Sequence, residues 1–168
     1  MLPLLLSAAL ANPPAALSTS AFADGGPIPK PYTCQGGDRV PPLTWSGLPT
    51  GAKSVALIIE DPDAPDPAKP QRVWVHWVLY DLPVDAGIPD GGPLPSGAQA
   101  GQNDWKKQTY GGPCPPIGRH RYFHRLFALD VPPGTLKFAA PPTAAELRVA
   151  MGGHVLGEAT LLGTYQKE

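Results

Sequence analysis

Two histidines and a tyrosine stand where a Gly/Pro turn becomes an aromatic strand, in the stretch Gly111 to Asp130, GGPCPPIGRHRYFHRLFALD. Imidazoles donate, accept or titrate near neutrality, and a phenol donates to an anionic oxygen, so this grouping suits anion or proton handling. Alternation along a strand puts His120, Tyr122, His124 and Leu126 on one face and Arg121, Phe123, Arg125 and Phe127 on the other. His120 and His124 would pair on a metal only in a helix; on a strand they lie about 13 Å apart. No HExxH, GxSxG or CxxC occurs, and the P-loop-like glycines Gly152 to Gly157 are followed by Glu158 rather than Lys. No metal and no cofactor is expected. Two further groups leave alternatives open. Asp61 and Asp63 bracket Pro62 after an apolar run and read as turn formers or as functional acids. His76, between Val75 and Trp77, reads as a satisfied core histidine or as a ligand.

These side chains need rigid supports. Prolines and glycines make Gly111 to Gly118 a shaped loop leading into the strand. Lys53 to Glu60 (KSVALIIE) predicts a strand buried on both faces and ending at DPDAPDP. Arg72 to Leu82 predicts a central strand with Trp74, His76, Val78 and Tyr80 on one face and Val73, Val75, Trp77 and Leu79 on the other. Pro41 to Ser46 reads as a Pro-led edge strand, and His154 to Tyr165 as a last strand broken by glycines. Pro83 to Gly112 is a long Gly/Pro-rich excursion with Asn103, Asp104 and Trp105 near its end. Pro141 to Met151 carries the one helix, with Thr143 as N-cap, Glu146 in the capping-box position and Gly152-Gly153 as the stop.

The 24 prolines and 19 glycines separate strand-like apolar runs, which favours an all-β domain with ordered turns over a disordered chain. A length of 168 residues fits one domain, from residue 21 to 168, preceded by an arm over residues 1–20 that is a signal peptide or disordered. The opening MLPLLLSAALA resembles a signal-peptide core without its basic start, so the chain is expected outside the cytoplasm if that run is cleaved and cytoplasmic otherwise. Its ten apolar residues are too short to span a bilayer, and a soluble protein without a transmembrane segment is expected. A net charge of −1 without a basic stripe gives nucleic acid no footprint. Cys34 and Cys114 allow one disulfide, and spacing alone does not decide it.

Three words, DPDAP (Asp61 to Pro65), VHWVLYDLP (Val75 to Pro83) and YGGPCPPIGRHRY (Tyr110 to Tyr122), resemble in order and separation the phosphatidylethanolamine-binding protein family, in particular its bacterial Raf-kinase-inhibitor-like branch. The similarity runs from about Ser20 to Tyr165. It implies an antiparallel β-sandwich with Greek-key connections, one short helix near the C-terminus, and a small anion pocket at one end. Carried over, the pocket would take Asp61, His76, His120, Tyr122 and the loop at Gly112, Pro113 and Pro116, with Asp63 and Tyr110 behind them. The resemblance also implies a cis Ala64–Pro65 bond and, more weakly, a cis bond near Arg72–Val73. The extra C-terminal helix of the animal members is missing, which implies a more open site. Asp61 would oppose a bare anion and is read as orienting a histidine.

The functional expectation is a binding protein, not an enzyme, for a small anionic or phosphorylated ligand such as a phospholipid head group, modulating a kinase or protease partner. One alternative is a protease inhibitor acting through an exposed loop, Asp85 to Gly101. Another is an acid/base hydrolase using His120 and Asp61, although no activated nucleophile is evident and Cys114 reads as structural.

Overall fold

The computed structural model describes residues 14–168; the apolar run read as a signal peptide, Met1 to Ala11, lies outside the described residues. The chain folds as an antiparallel β-sandwich. Strands β1 (Ala16–Ser18) and β2 (Thr44–Ser46) form a two-stranded ribbon. The main sheet contains β3 (Ser54–Ala64), β4 (Arg72–Leu82), β5 (Gln99–Ala100), β6 (Arg119–Leu129) and β7 (Val155–Gln166), in the order β5-β4-β3-β6-β7. A short helix, α1 (Ala144–Met151), precedes β7. The chain leaves β5 at one edge and returns past β4 and β3 to place β6 beside β3, the four-strand order of a Greek key.

β3 lies at the centre because its side chains suit two apolar faces. Val55, Leu57 and Ile59 join Trp77, Leu79, Leu126 and the ribbon's Leu17 on one side. Ala56 and Ile58 join Val78, Phe127, Leu129 and the helix residues Leu147 and Met151 on the other. Removing this much apolar surface from water is the main drive for folding. The helix has the expected capping box: the Thr143 hydroxyl accepts from Glu146 N–H, and the Glu146 carboxylate accepts from Thr143 N–H at 2.7 Å. Glu60 on β3 then accepts from Arg125 of β6 at 2.6 Å and Arg148 of α1 at 2.9 Å, tying the helix to two strands.

Four expectations need correction. The arm contains β1, whose Leu17 is buried against the core, because its apolar residue completes the ribbon's inner face. β3 does not stop at Glu60 but continues through Asp61-Pro62-Asp63 to Ala64, with Ala64 paired to Arg72. The excursion after β4 is anchored by β5 and by the Leu43–Ile88 bridge. Among the described residues the cis bonds are Ala64–Pro65 and Gly92–Pro93, and none lies at Arg72–Val73.

A further correction concerns β4. Ile59 faces Trp77 but Glu60 faces Val75, a register shift that leaves His76 as an extra residue between them. Such a β-bulge re-aims the side chains around it. Val75 packs toward the helix, whereas His76 turns to the face of Trp77 and Tyr122. Strict alternation had grouped His76 with Val78 and Tyr80.

Candidate functional site

At the end of β3, β4 and β6 a cavity of about 320 Å³ is bordered by Asp61, His76, His120 and Tyr122, with Pro116 and Trp105 in its loop wall. Each of the four polar residues arrives from a strand. Asp61 follows the buried run of β3, His120 and Tyr122 share the inner face of β6, and His76 is delivered by the bulge in β4.

The loop between β5 and β6 closes over the outer edge of β4, where β5 ends too early to pair. Asp104 N–H donates to Val75 O at 3.0 Å, and Val75 N–H donates to Asp104 Oδ2 at 2.7 Å. The His76 carbonyl accepts from Gly111 N–H at 3.2 Å and Asn103 Nδ2 at 3.2 Å. Asn103 is the hub of this loop: its Nδ2 also donates to Thr109 O, and its Oδ1 accepts from the N–H groups of Trp105 and Lys107. Buried backbone polar groups that the bulge and the strand edge would leave bare are thereby satisfied. Gly111 has no alternative, since a Cβ there would lie 2.4 Å from the Trp105 ring. Cys34 and Cys114 form a disulfide that fixes the proline wall to the segment after the 3₁₀ turn at Lys30–Tyr32.

The polar groups of the site are engaged with one another and with backbone carbonyls rather than presented as free cations. His120 Nδ1 lies 2.6 Å from Asp61 Oδ2, and its Nε2 donates to Ile117 O at 2.9 Å. Burial raises the Asp61 carboxyl above the usual carboxylate range, against the lowering effect of its hydrogen bond to His120. Its Oδ1 accepts from Asp63 N–H at 2.8 Å. His76 Nδ1 donates to Gly111 O at 2.6 Å, and burial lowers this imidazole to about 4. The Tyr122 hydroxyl and Trp74 Nε1 are buried without a partner among the described residues. An orphaned buried donor costs about 1–3 kcal/mol, and these two belong to residues that border one cavity.

Not every expected residue borders the cavity. Gly112 and Pro113 lie behind its wall: Gly112 N–H donates to Asp38 Oδ1 at 3.0 Å, and Pro113 O accepts from Cys34 N–H at 3.1 Å. With Gly111 N–H also engaged, the glycines of this loop form no anion nest toward the cavity. Asp63 holds Arg121 through both guanidinium and backbone N–H, which keeps its carboxyl below the usual range and fixes the start of β6. Tyr110 packs on Trp77 and donates to Tyr32 O at 2.8 Å. His124 packs on Phe22 away from the cavity. Sequence reasoning assigned no role to Trp74, Trp105 and Asn103. Their type alone gave little signal, although Asn103 and Trp105 stood out inside the long excursion.

The same arrangement of chain is found elsewhere. Residues 18–166 match the family model described as phosphatidylethanolamine-binding protein. A UPF0098 protein of Methanothermobacter thermautotrophicus is 47% identical over 156 residues, 90% of this chain and 98% of its own. The crystal structure of CT736 from Chlamydia trachomatis, a PEBP homolog, is 40% identical with a TM-score of 0.84, covering 94% of this chain and 100% of its own. E. coli YbcL, described as a member of the mammalian PEBP family, is 27% identical with a TM-score of 0.80, covering 92% and 99%. With the family match running from β1 to the end of β7, the chain belongs to the phosphatidylethanolamine-binding protein family.

Proposed function

We propose that the chain is a binding protein that captures a small phosphorylated or otherwise anionic head group in the cavity at the end of β3, β4 and β6. The observation that carries this reading is the hydroxyl of Tyr122, a residue that borders the cavity, which is buried with no partner among the described residues. An anionic oxygen there would receive a charge-assisted hydrogen bond, about twice as strong as a neutral one. Trp74 Nε1 supplies a second donor, and the proline and tryptophan walls suit the uncharged part of a ligand. Asp61 does not meet the anion, because both its oxygens are already engaged, Oδ1 by Asp63 N–H and Oδ2 by His120 Nδ1. Partners such as a kinase or protease would be addressed through the loaded or empty state of this pocket.

The alternatives find less support. Cys114 is in a disulfide and has no thiol to act as a nucleophile. The segment Asp85 to Gly101, suggested for protease inhibition, is anchored by the buried Ile88 and by the bidentate Arg39–Asp90 pair.

Histidine-detected NMR with inorganic phosphate and O-phosphoethanolamine tests the proposal. Saturable shifts at His76 are expected, and Tyr122→Phe should weaken binding by about tenfold or more, the worth of a hydrogen bond to a charged group. Absence of any response at millimolar ligand overturns it.

A further inference from the structure

We infer that this pocket, taken as the anion site proposed above, selects anions that still carry an acidic proton, phosphomonoester monoanions above all, over phosphodiesters, because Gly111 fixes the cavity-side nitrogen of His76 as an acceptor and His120 has no ring N–H left to offer.

The argument is one of proton placement. A carbonyl oxygen only accepts, so the 2.6 Å contact of His76 Nδ1 with Gly111 O puts the ring proton on Nδ1. The carbonyl is itself held in place, since Gly111 N–H bonds back to His76 O and the Trp105 ring lies against its Cα. A neutral imidazole in that tautomer presents a lone pair at Nε2, and no donor among the described residues meets it. The same reasoning applies to His120, whose Nε2 proton points at Ile117 O while Nδ1 faces Asp61. The uncommitted polar groups of the residues that border the cavity are therefore one acceptor, His76 Nε2, and two donors enclosed beneath its surface, the Tyr122 hydroxyl and Trp74 Nε1.

A phosphomonoester monoanion matches that set with one P–OH and two bare oxygens. A diester has the two bare oxygens but no O–H, and it sets a lone pair against a lone pair unless His76 takes up a proton. Burial opposes that uptake, lowering His76 to about 4. The titratable neighbours that act on His76 are Asp104, which favours the proton, and His120 and His124, which disfavour it; Asp104 is engaged with Arg72. Tyr122 meets the ring edge-on and stays uncharged, its hydroxyl raised by burial.

The test compares methyl phosphate with dimethyl phosphate at pH 6 by calorimetry on the full chain. About half of a monoester is then the monoanion, its second pKa being near 6. Dimethyl phosphate should bind at least tenfold more weakly, and up to about a hundredfold, the population cost of protonating His76 two pH units above its own midpoint. The cavity of about 320 Å³ has room for either probe. In His76→Gln the side-chain amide can turn its N–H₂ to the ligand, so the ratio should fall toward one. Equal binding of the two probes by the wild type overturns the inference and leaves the binding function standing. Binding of neither overturns both, and a ratio unchanged in a folded His76→Gln variant shows selection by size and also overturns the inference.

Discussion

Glu60 and Asp61 are neighbours on β3, both buried at 7% and 3% exposure, and they point to opposite faces of the sheet. Glu60 meets two arginines, one from β6 and one from α1, each partly open to solvent. Asp61 meets a single imidazole that is wholly enclosed, next to a cavity and two orphaned donors. The first carboxylate is over-neutralised and braces the helix against the sheet. The second is held in a bare balance, with burial pulling its carboxyl upward. Two acids of nearly identical sequence context thus separate into a structural clamp and a poised site, and what separates them is whether all surrounding polar atoms have partners.

Acid should expose this asymmetry most strongly. The buried histidines His76, His120 and His124 all lie on the cavity side of the sheet. Burial lowers His76 and His124 to about 4 from 6.5. Between those values the unfolded chain binds more protons than the folded one, so stability is lost as pH falls from about 6.5 to about 4, by about 3 kcal/mol for each ring. Asp63, whose carboxyl is depressed by Arg121, adds to the loss on acidification, and the raised Asp61 opposes it. Urea melts across this window should give the slope, and hydrogen exchange should show β4 and β6 opening at the cavity end first. A flat stability profile would remove the distinction between the faces.

The next largest effect is expected from the disulfide. Replacing Cys34 and Cys114 by Ser together should cost about 4 kcal/mol, as for a bridge closing a loop of this length. The loss should be accompanied by weaker ligand binding, because Cys114 borders the cavity. Substitutions of the two carboxylates sharpen the comparison further. Asp61→Ala leaves the enclosed His120 without its partner and should cost about 3 kcal/mol, with loss of the ligand response. Glu60→Ala releases two arginines into solvent and should cost about 1 kcal/mol with ligand binding intact. If the two variants behaved alike in thermal melts and in titrations, the contrast between clamp and site would be wrong.

Much of the frame was legible in the sequence because it rests on local rules. The strand at Arg72–Leu82, the Thr143–Glu146 capping box and the shared face of His120 and Tyr122 follow from alternation and helix-end chemistry read over a few residues. Asp61 and His76 were different: residue types left each undecided, and only the family resemblance linked them to His120. The face of His76 was misread because a bulge belongs to a pair of strands, and alternation within one strand holds no record of it. Gly112 and Pro113 were placed at the ligand by the family resemblance alone, whereas their backbone groups are engaged by Asp38 and Cys34 far away in the chain. Asn103 was noticed but not understood for the same reason, since its four contacts become visible only when the loop lies along β4.

The bulge at Val75–His76 also makes the site separable from the fold. Deleting Val75 would let β4 pair regularly with β3, carrying His76 across to the place beside Glu60 that Val75 now occupies. The two cores would keep their Trp77, Val78 and Leu79 contributions, which lie on the other side of the shift. A single-codon deletion would thus remove the proposed pocket while leaving the sheet in place, and the length of β4 before Trp77 decides on which side His76 stands.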